Sequence, residues 1–215
     1  MNNLHLATIA IVVANIIVSF KGFGDSQFFQ RYKFGVGSIK AGQKERMVTS
    51  GFLHVDVSHL LMNMLTLYFF ANVVISYFGP SKFVLLYFIS LFAGSLLAFF
   101  FHKDEPYYSA VGASGAVTGV LYAAILLQPN MMLGLMFIIP IPAYIFGIGY
   151  LLYSIYGMKN RVGNIGHTAH FGGAIGGYVT TLLFAPDLIF TETLMVILLA
   201  VPIIILFIMG KRGKI

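Results

Sequence analysis

Ser114 and His170 are polar residues placed in long apolar surroundings. Ser114 lies in Val111-Gly112-Ala113-Ser114-Gly115-Ala116, and His170 in His167-Thr168-Ala169-His170-Phe171-Gly172-Gly173. A serine hydroxyl is a weak nucleophile until a neighbouring base takes its proton. Imidazole is the commonest such base. An ionisable side chain within a membrane segment is also a functional-site hypothesis by default. The pair therefore points to acyl transfer through a covalent intermediate. His167 lies one turn before His170 and is the weaker base candidate. Structural alternatives stand beside these roles: Gly115 and Gly119 form a small-xxx-small pair that serves helix packing alone, and an interfacial histidine can simply be hydrogen-bonded.

A second polar pair occurs in His54-Val55-Asp56-Val57-Ser58-His59-Leu60-Leu61-Met62-Asn63. His59 and Asn63 are i, i+4 and share one helical face. Both can donate hydrogen bonds to a developing oxyanion, where a fixed donor is worth roughly 2.7–4 kcal/mol. The same two residues could instead hold helices together. The acidic residues are Asp25, Glu45, Asp56, Asp104, Glu105, Asp187 and Glu192. None falls in the middle of an apolar segment, so a serine–histidine dyad fits better than a triad with a buried carboxylate. The intramembrane aspartate pair of an aspartyl protease is missing, and so is an H-E-x-x-H zinc motif. With no Cys in the chain, thiol catalysis and disulfides are excluded, and no metal or cofactor is expected.

The elements that must position these residues follow from composition. The 215 residues are 59% hydrophobic and 9% charged, against about 25% charged in soluble domains. Bilayer rules therefore apply. A span needs roughly 20 mostly apolar residues, which predicts seven, at about 4–20, 57–78, 82–101, 110–128, 131–155, 166–185 and 188–210. A cleavable signal peptide is not expected, because residues 1–3 carry no basic n-region. The net charge of +6 fits loops beside anionic lipid rather than nucleic-acid binding. The stretch at 21–50 is the longest polar connection, and the loops at 21–50, 102–109 and 156–165 share one side of the membrane. Ser114 begins the fourth span and His170 the sixth, so both sit at one depth near that side. Gly173 and Gly177, at i+3 and i+7 from His170, form a smooth face. Pressed against Gly115 and Gly119, that face would bring imidazole to hydroxyl.

These residues resemble the motifs of the rhomboid intramembrane serine proteases. Gly112-Ala113-Ser114-Gly115 is similar to the family's G-x-S-G, and Ala169-His170 with Gly173 and Gly177 to its A-H-x-x-G-x-x-x-G. His59 and Asn63 resemble its H-x-x-x-N, and Arg46, Thr49, Phe52 and His54 the approach to that span. The resemblance covers about residues 1–185. It implies an all-α polytopic membrane bundle: a six-helix core at 1–185, with 186–215 as a C-terminal seventh transmembrane helix and short basic tail. It further implies Ser114 as nucleophile, His170 as general base, and an oxyanion hole of the Ser114 backbone with His59 and Asn63. Gly112, Gly115, Gly119, Gly173 and Gly177 would support the packing. The implied partners are transmembrane protein substrates and membrane lipid, and the implied location is the cell membrane as a multi-pass protein.

Two departures from the family pattern stand out, and one is Ile75 near the end of the second span, where a glutamate is common. Thr118 occupies the position four after the serine, where many members carry an aromatic residue against the histidine. Tyr122, one turn later, is the candidate replacement. The fifth span carries Pro140, Pro142, Gly147 and Gly149, which reads as a mobile gate or as a kinked helix. The predicted loops put 12 of the 13 Lys and Arg on the Ser114 side, with Lys82 alone opposite. The positive-inside rule would make that side cytoplasmic. The resemblance implies catalysis toward the exterior, and the expectation follows it. Two other functions remain open at this level: a catalytically inactive rhomboid-like binder of membrane segments, and a haem or metal carrier using His54, His59, His167 and His170.

Overall fold

The computed structural model describes residues 5–135, 139–163 and 166–212. Helix α1 (Leu6–Gly24) has 19 residues and is therefore roughly 28 Å long, close to the ~30 Å hydrocarbon thickness of a bilayer. The polar stretch after it is folded rather than loose. It holds α2 (Ser26–Tyr32), β1 (Phe34–Gly35), α3 (Val36–Lys40), α4 (Arg46–Thr49) and a 3-10 turn at Ser50–Phe52. Its apolar side chains Phe34, Val36, Ile39 and Met47 form a small core of their own with Ala98.

Helix α5 (Val57–Phe101) is a helical run of 45 residues broken at Gly79, where φ is 78° and ψ 168°. Glycine adopts that conformation without penalty, and Pro80 beside it has no amide hydrogen to continue the helix. The chain reverses there. Ser95, late in α5, donates to the Met47 carbonyl of the polar connection at 2.7 Å, the same connection from which α5 starts. The two arms of α5 are the second and third spans. Strand β2 (Ser109–Ala110) pairs antiparallel with β1, Phe34 opposite Ala110 and Gly35 opposite Ser109.

Helix α6 (Ser114–Leu127) is buried at every residue from Gly115 to Leu127. An all-round apolar helix of this kind belongs in the centre of a bundle. Its 14 residues give roughly 21 Å, less than the ~30 Å hydrocarbon thickness of a bilayer. The expected span of 110–128 is shorter at its start because Gly112, with φ 129°, turns the chain into the helix.

The fifth span differs from expectation. Residues 131–135 and 139–142 do not join a helix. Strands β3 (Met132–Leu135) and β4 (Ile139–Pro142) pair antiparallel, Met132 opposite Pro142 and Leu135 opposite Ile139. Pro140 and Pro142 each lack an amide hydrogen and would each break a helix; in β4 they instead sit in extended backbone. The helix, α7, runs from Ala143 to Asn160 and ends on Arg161 in the left-handed conformation. The kinked helix expected from Pro140 and Pro142 is therefore not what this segment forms. Helix α8 (His167–Phe184), the short α9 (Leu188–Thr191) and α10 (Thr193–Lys211) complete the chain.

The layers organise around α6. One core joins α6 to α1 and α5 through Leu67, Phe83, Leu86, Tyr87, Val120 and Ala124. The other joins α6 to α7, α8 and α10 through Tyr122, Ile125, Leu151, Phe171 and Leu199. Helices α1, α5 and α10 are each long and apolar enough to cross a membrane. Outward-facing Leu61, Phe69, Phe100, Leu183, Leu194 and Phe207 are exposed, as side chains solvated by lipid are. The molecule is an all-α polytopic membrane bundle of six core helices, with α10 as the seventh.

Candidate active site

Ser114 is the first residue of α6, and His170 lies in the first turn of α8. Ser114 Oγ is 2.7 Å from His170 Nε2 across 56 positions of sequence. Glycines bring the two backbones close enough for that contact. A Cβ on Gly173 would run into the Gly115 carbonyl oxygen, and one on Gly177 into that of Gly119. The third wall of the same junction is α5: a Cβ on Gly94 would stand 2.6 Å from the Ala169 carbonyl oxygen. Side chains at these positions would separate α5, α6 and α8 and pull the imidazole off the hydroxyl.

His59 and Asn63 reach the same place from the first arm of α5. A Cβ on Gly112 would lie 2.7 Å from His59 Cε1, 2.9 Å from His59 Nε2 and 3.7 Å from Ser114 Oγ, so the His59 ring packs directly on the backbone leading to the serine. Asn63 Nδ2 donates to the His59 carbonyl at 2.9 Å, which leaves its second amide hydrogen for another acceptor. His59, Asn63, Ser114 and His170 all line one cavity of about 1140 Å³, together with Thr66, Val117, Leu121 and Phe146. The first amides of a helix have no intrahelical acceptor. The first α6 bond runs from Val117 N–H to Ala113 O, so the amides of Ser114, Gly115 and Ala116 remain at the positive end of the helix dipole.

The loop carrying the serine is fastened from the polar connection. Gly112 N–H donates to Ser50 O at 3.0 Å, and Ala113 N–H to His54 Nε2 at 3.4 Å. His54 Nδ1–H then donates to Ser19 Oγ at 2.8 Å, and Ser19 donates to Phe52 O at 2.9 Å. These roles require neutral His54 with its proton on Nδ1. Burial and the neighbouring His59 imidazole push the His54 pKa down to about 3, against an opposing pull from Asp56. Arg46 fastens the connection itself, donating to the carbonyls of Gln30 at 2.8 Å and Lys33 at 2.9 Å. Thr49 Oγ1 donates to Tyr32 O at 2.9 Å. Arg46, Thr49 and His54 thus hold the approach to the serine rather than entering the cavity. His167 faces away from the serine, with Nε2 3.2 Å from Val162 O and its ring in the notch left by Gly157.

One residue of the site has no counterpart in the sequence reading. Tyr150 of α7 places its hydroxyl 2.9 Å from His170 Nδ1, the rings 6.1 Å apart and 21° from parallel. Tyr122, the candidate replacement for the missing aromatic, lies two turns below Ser114 on α6. Its hydroxyl donates to Gly147 O of α7 at 2.6 Å, and it fastens α7 instead of touching the histidine. Tyr150 could not be found from spacing, because its contact depends on where α7 crosses α8.

Comparison with known proteins agrees with this architecture. Residues 41–187 match the Rhomboid domain. The chain is 30% identical over 183 residues to RHOMBOID-like protein 12, mitochondrial, of Arabidopsis thaliana, covering 77% of this chain and 54% of that protein. It is 33% identical over 156 residues to Rhomboid protein 1, mitochondrial, of Saccharomyces cerevisiae, covering 70% and 44%. With Rhomboid protease GluP of Bacillus subtilis it shares 35% identity over 140 residues, 65% of this chain and 26% of that protein. The chain spans about half the length, or less, of these relatives. A domain match running from the polar connection through α8, on a bundle whose glycine-lined junction joins a serine to a histidine, places this chain in the rhomboid family.

Proposed function

We propose that this chain is an intramembrane serine endopeptidase that hydrolyses peptide bonds in or near transmembrane segments of other membrane proteins. The observation that carries the reading is the 2.7 Å contact of Ser114 Oγ with His170 Nε2, recessed at the start of a buried helix and open to a large cavity.

The geometry suits two successive acyl transfers. His170 Nε2 takes the hydroxyl proton as Ser114 Oγ bonds to the scissile carbonyl carbon. The oxyanion is held by the Ser114 backbone N–H at the positive end of α6, with His59 and Asn63 as side-chain donors. The C–N bond breaks, and His170 passes its proton to the leaving nitrogen. Water then attacks the acyl-enzyme, giving one proton to His170, which returns it to Ser114 Oγ as the acid leaves. Gly112, Gly115, Gly119, Gly173 and Gly177 serve by letting the backbones and the His59 ring approach. Residues 1–185 form the catalytic core in this reading, and 186–215 the additional helix and tail. Substrate helices enter from the lipid, and unwinding near the cut exposes the peptide bond.

The membrane proposed is the cell membrane, with the protein multi-pass. The mitochondrial names of two relatives favour an organelle membrane as the second reading, and fractionation of tagged protein separates the two. The activity is tested by cleavage of a test transmembrane substrate in detergent. Wild type is expected to cut it, and Ser114→Ala and His170→Ala to lose nearly all activity, because members of a catalytic unit are each close to essential. Undiminished cleavage by either variant overturns the dyad. Substrate binding without cleavage by wild type would instead favour an inactive binder.

A further inference from the structure

Resting on the dyad proposed above, we infer that Tyr150 is the positioning residue of the catalytic base. It holds the His170 proton on Nδ1 and the base lone pair on Nε2, and it does so from a neighbouring helix instead of from α6. Four contacts carry the inference. Ser114 Oγ is 2.7 Å from His170 Nε2. His170 Nδ1 is 2.9 Å from Tyr150 Oη. Tyr150 Oη is 3.5 Å from Thr118 Oγ1, and Thr118 Oγ1 is 2.7 Å from Ser114 O. The contacts close a ring that begins and ends on Ser114.

The direction of that ring is fixed at one point. A carbonyl oxygen only accepts, so Thr118 donates its single hydroxyl proton to Ser114 O. Thr118 Oγ1 then meets Tyr150 as an acceptor, and Tyr150 O–H points to it across the longest link. The tyrosine oxygen is left with lone pairs toward His170, so Nδ1 carries the proton and donates. Nε2 is consequently the unprotonated nitrogen and accepts from Ser114 O–H. The opposite tautomer would set lone pair against lone pair between Tyr150 and Thr118. In a Ser-His-Asp triad a buried carboxylate performs this orienting work. None of the seven acidic residues hydrogen-bonds the imidazole, whereas a neutral phenol does.

Tyr150 is held for this task. Phe146, one turn earlier on α7, stacks on its ring at 5.9 Å and 12° from parallel, and Tyr122 ties the same stretch of α7 to α6 through Gly147 O. The base is therefore in its working tautomer only while α7 lies against α6. Movement of α7 away from the cavity, which Phe146 and Tyr150 both line, removes the acceptor from Nδ1.

The test pairs kinetics with 15N NMR of histidine-labelled protein, comparing wild type, Tyr150→Phe, Thr118→Val and His170→Ala. Tyr150→Phe keeps the ring and removes the hydroxyl. It is expected to lower kcat by roughly tenfold to a hundredfold, the scale of a lost orienting hydrogen bond, with KM within about twofold and the melting temperature little changed. The His170 resonances, identified by their loss in His170→Ala, are expected to report the Nδ1–H tautomer in wild type and a mixture in Tyr150→Phe. Thr118→Val, which removes the direction-setting link and keeps the volume, is expected to shift the tautomer the same way and lower kcat by severalfold. Wild-type kcat and tautomer in Tyr150→Phe overturn the inference. If that variant does not fold, an unchanged tautomer in Thr118→Val overturns it. Failure of wild type to cleave any substrate contradicts the protease reading alone, since the tautomer is read in the resting protein.

Discussion

His54 shows how a residue outside the chemistry sets its geometry. Its ring is fully buried and bonded through both nitrogens, to Ala113 N–H and to Ser19. A pKa near 3 in the fold, against about 6.5 for an exposed histidine, means that the unfolded chain binds the proton more tightly. The stability from neutral His54 is therefore complete above pH 6.5 and is lost progressively as pH falls toward 3, by at most about 1.4 kcal/mol per unit. Melting temperatures taken between pH 7 and pH 4 are expected to fall, and His54→Gln to flatten that dependence while lowering stability at pH 7. An unchanged slope in the variant contradicts this. At the same scale the sequence makes Ser114, His170, His59 and Asn63 visible, because each pair has a helical spacing or a shared depth. Tyr150 was hidden because no periodicity within one helix reports a contact between two. Tyr122 stands as a candidate for the opposite reason: counting along α6 cannot say which neighbour a side chain faces.

Among the elements, the contact of α6 with α8 decides whether a site forms. Its glycine stripes were legible as an i, i+4 pattern, and they meet with no room for a methyl group. Gly173→Ala is accordingly expected to destabilise the bundle by about 1–3 kcal/mol, the cost of overpacking a tight core, and to suppress cleavage by moving His170 from Ser114. Gly149→Ala on α7, where a Cβ meets nothing within 4 Å, is expected to keep both melting temperature and activity. Equal effects of the two changes would show that helix propensity, not close approach, governs these positions. The β3–β4 pair is not legible in the sequence because residues 131–142 are as apolar as a span, and hydropathy cannot separate a short apolar strand from a helix segment. The alternation Ile139-Pro140-Ile141-Pro142 was the available clue, since two prolines at that spacing exclude a helix. The folded polar connection was hidden for a related reason: its bonds run from Arg46 and Thr49 to backbone carbonyls, which no side-chain pattern encodes.

At the scale of the whole molecule, the number of long helical segments was readable from composition: α1, the two arms of α5, α6, α7, α8 and α10 are seven among the described residues. Orientation is a separate question, because the loops predicted from the sequence put 12 of the 13 basic residues on the Ser114 side. The polar connection is folded against the bundle, with Arg46 committed to its own backbone, which weakens its value as a loop charge. The expected arrangement has that side outside the cytoplasm, so a C-terminal alkaline phosphatase fusion should be active; an inactive fusion with a cytoplasmic tail contradicts it. The central claim is that one serine, activated by one histidine across the α6–α8 junction, is the nucleophile of this membrane bundle. Its most direct test is labelling of the detergent-solubilised protein with a fluorophosphonate, which loses fluoride as it bonds to an activated serine oxygen, followed by peptide mass spectrometry. A single adduct on Ser114, absent in His170→Ala, is the expected result. An adduct on another residue, or equal labelling of Ser114 without His170, would contradict the account.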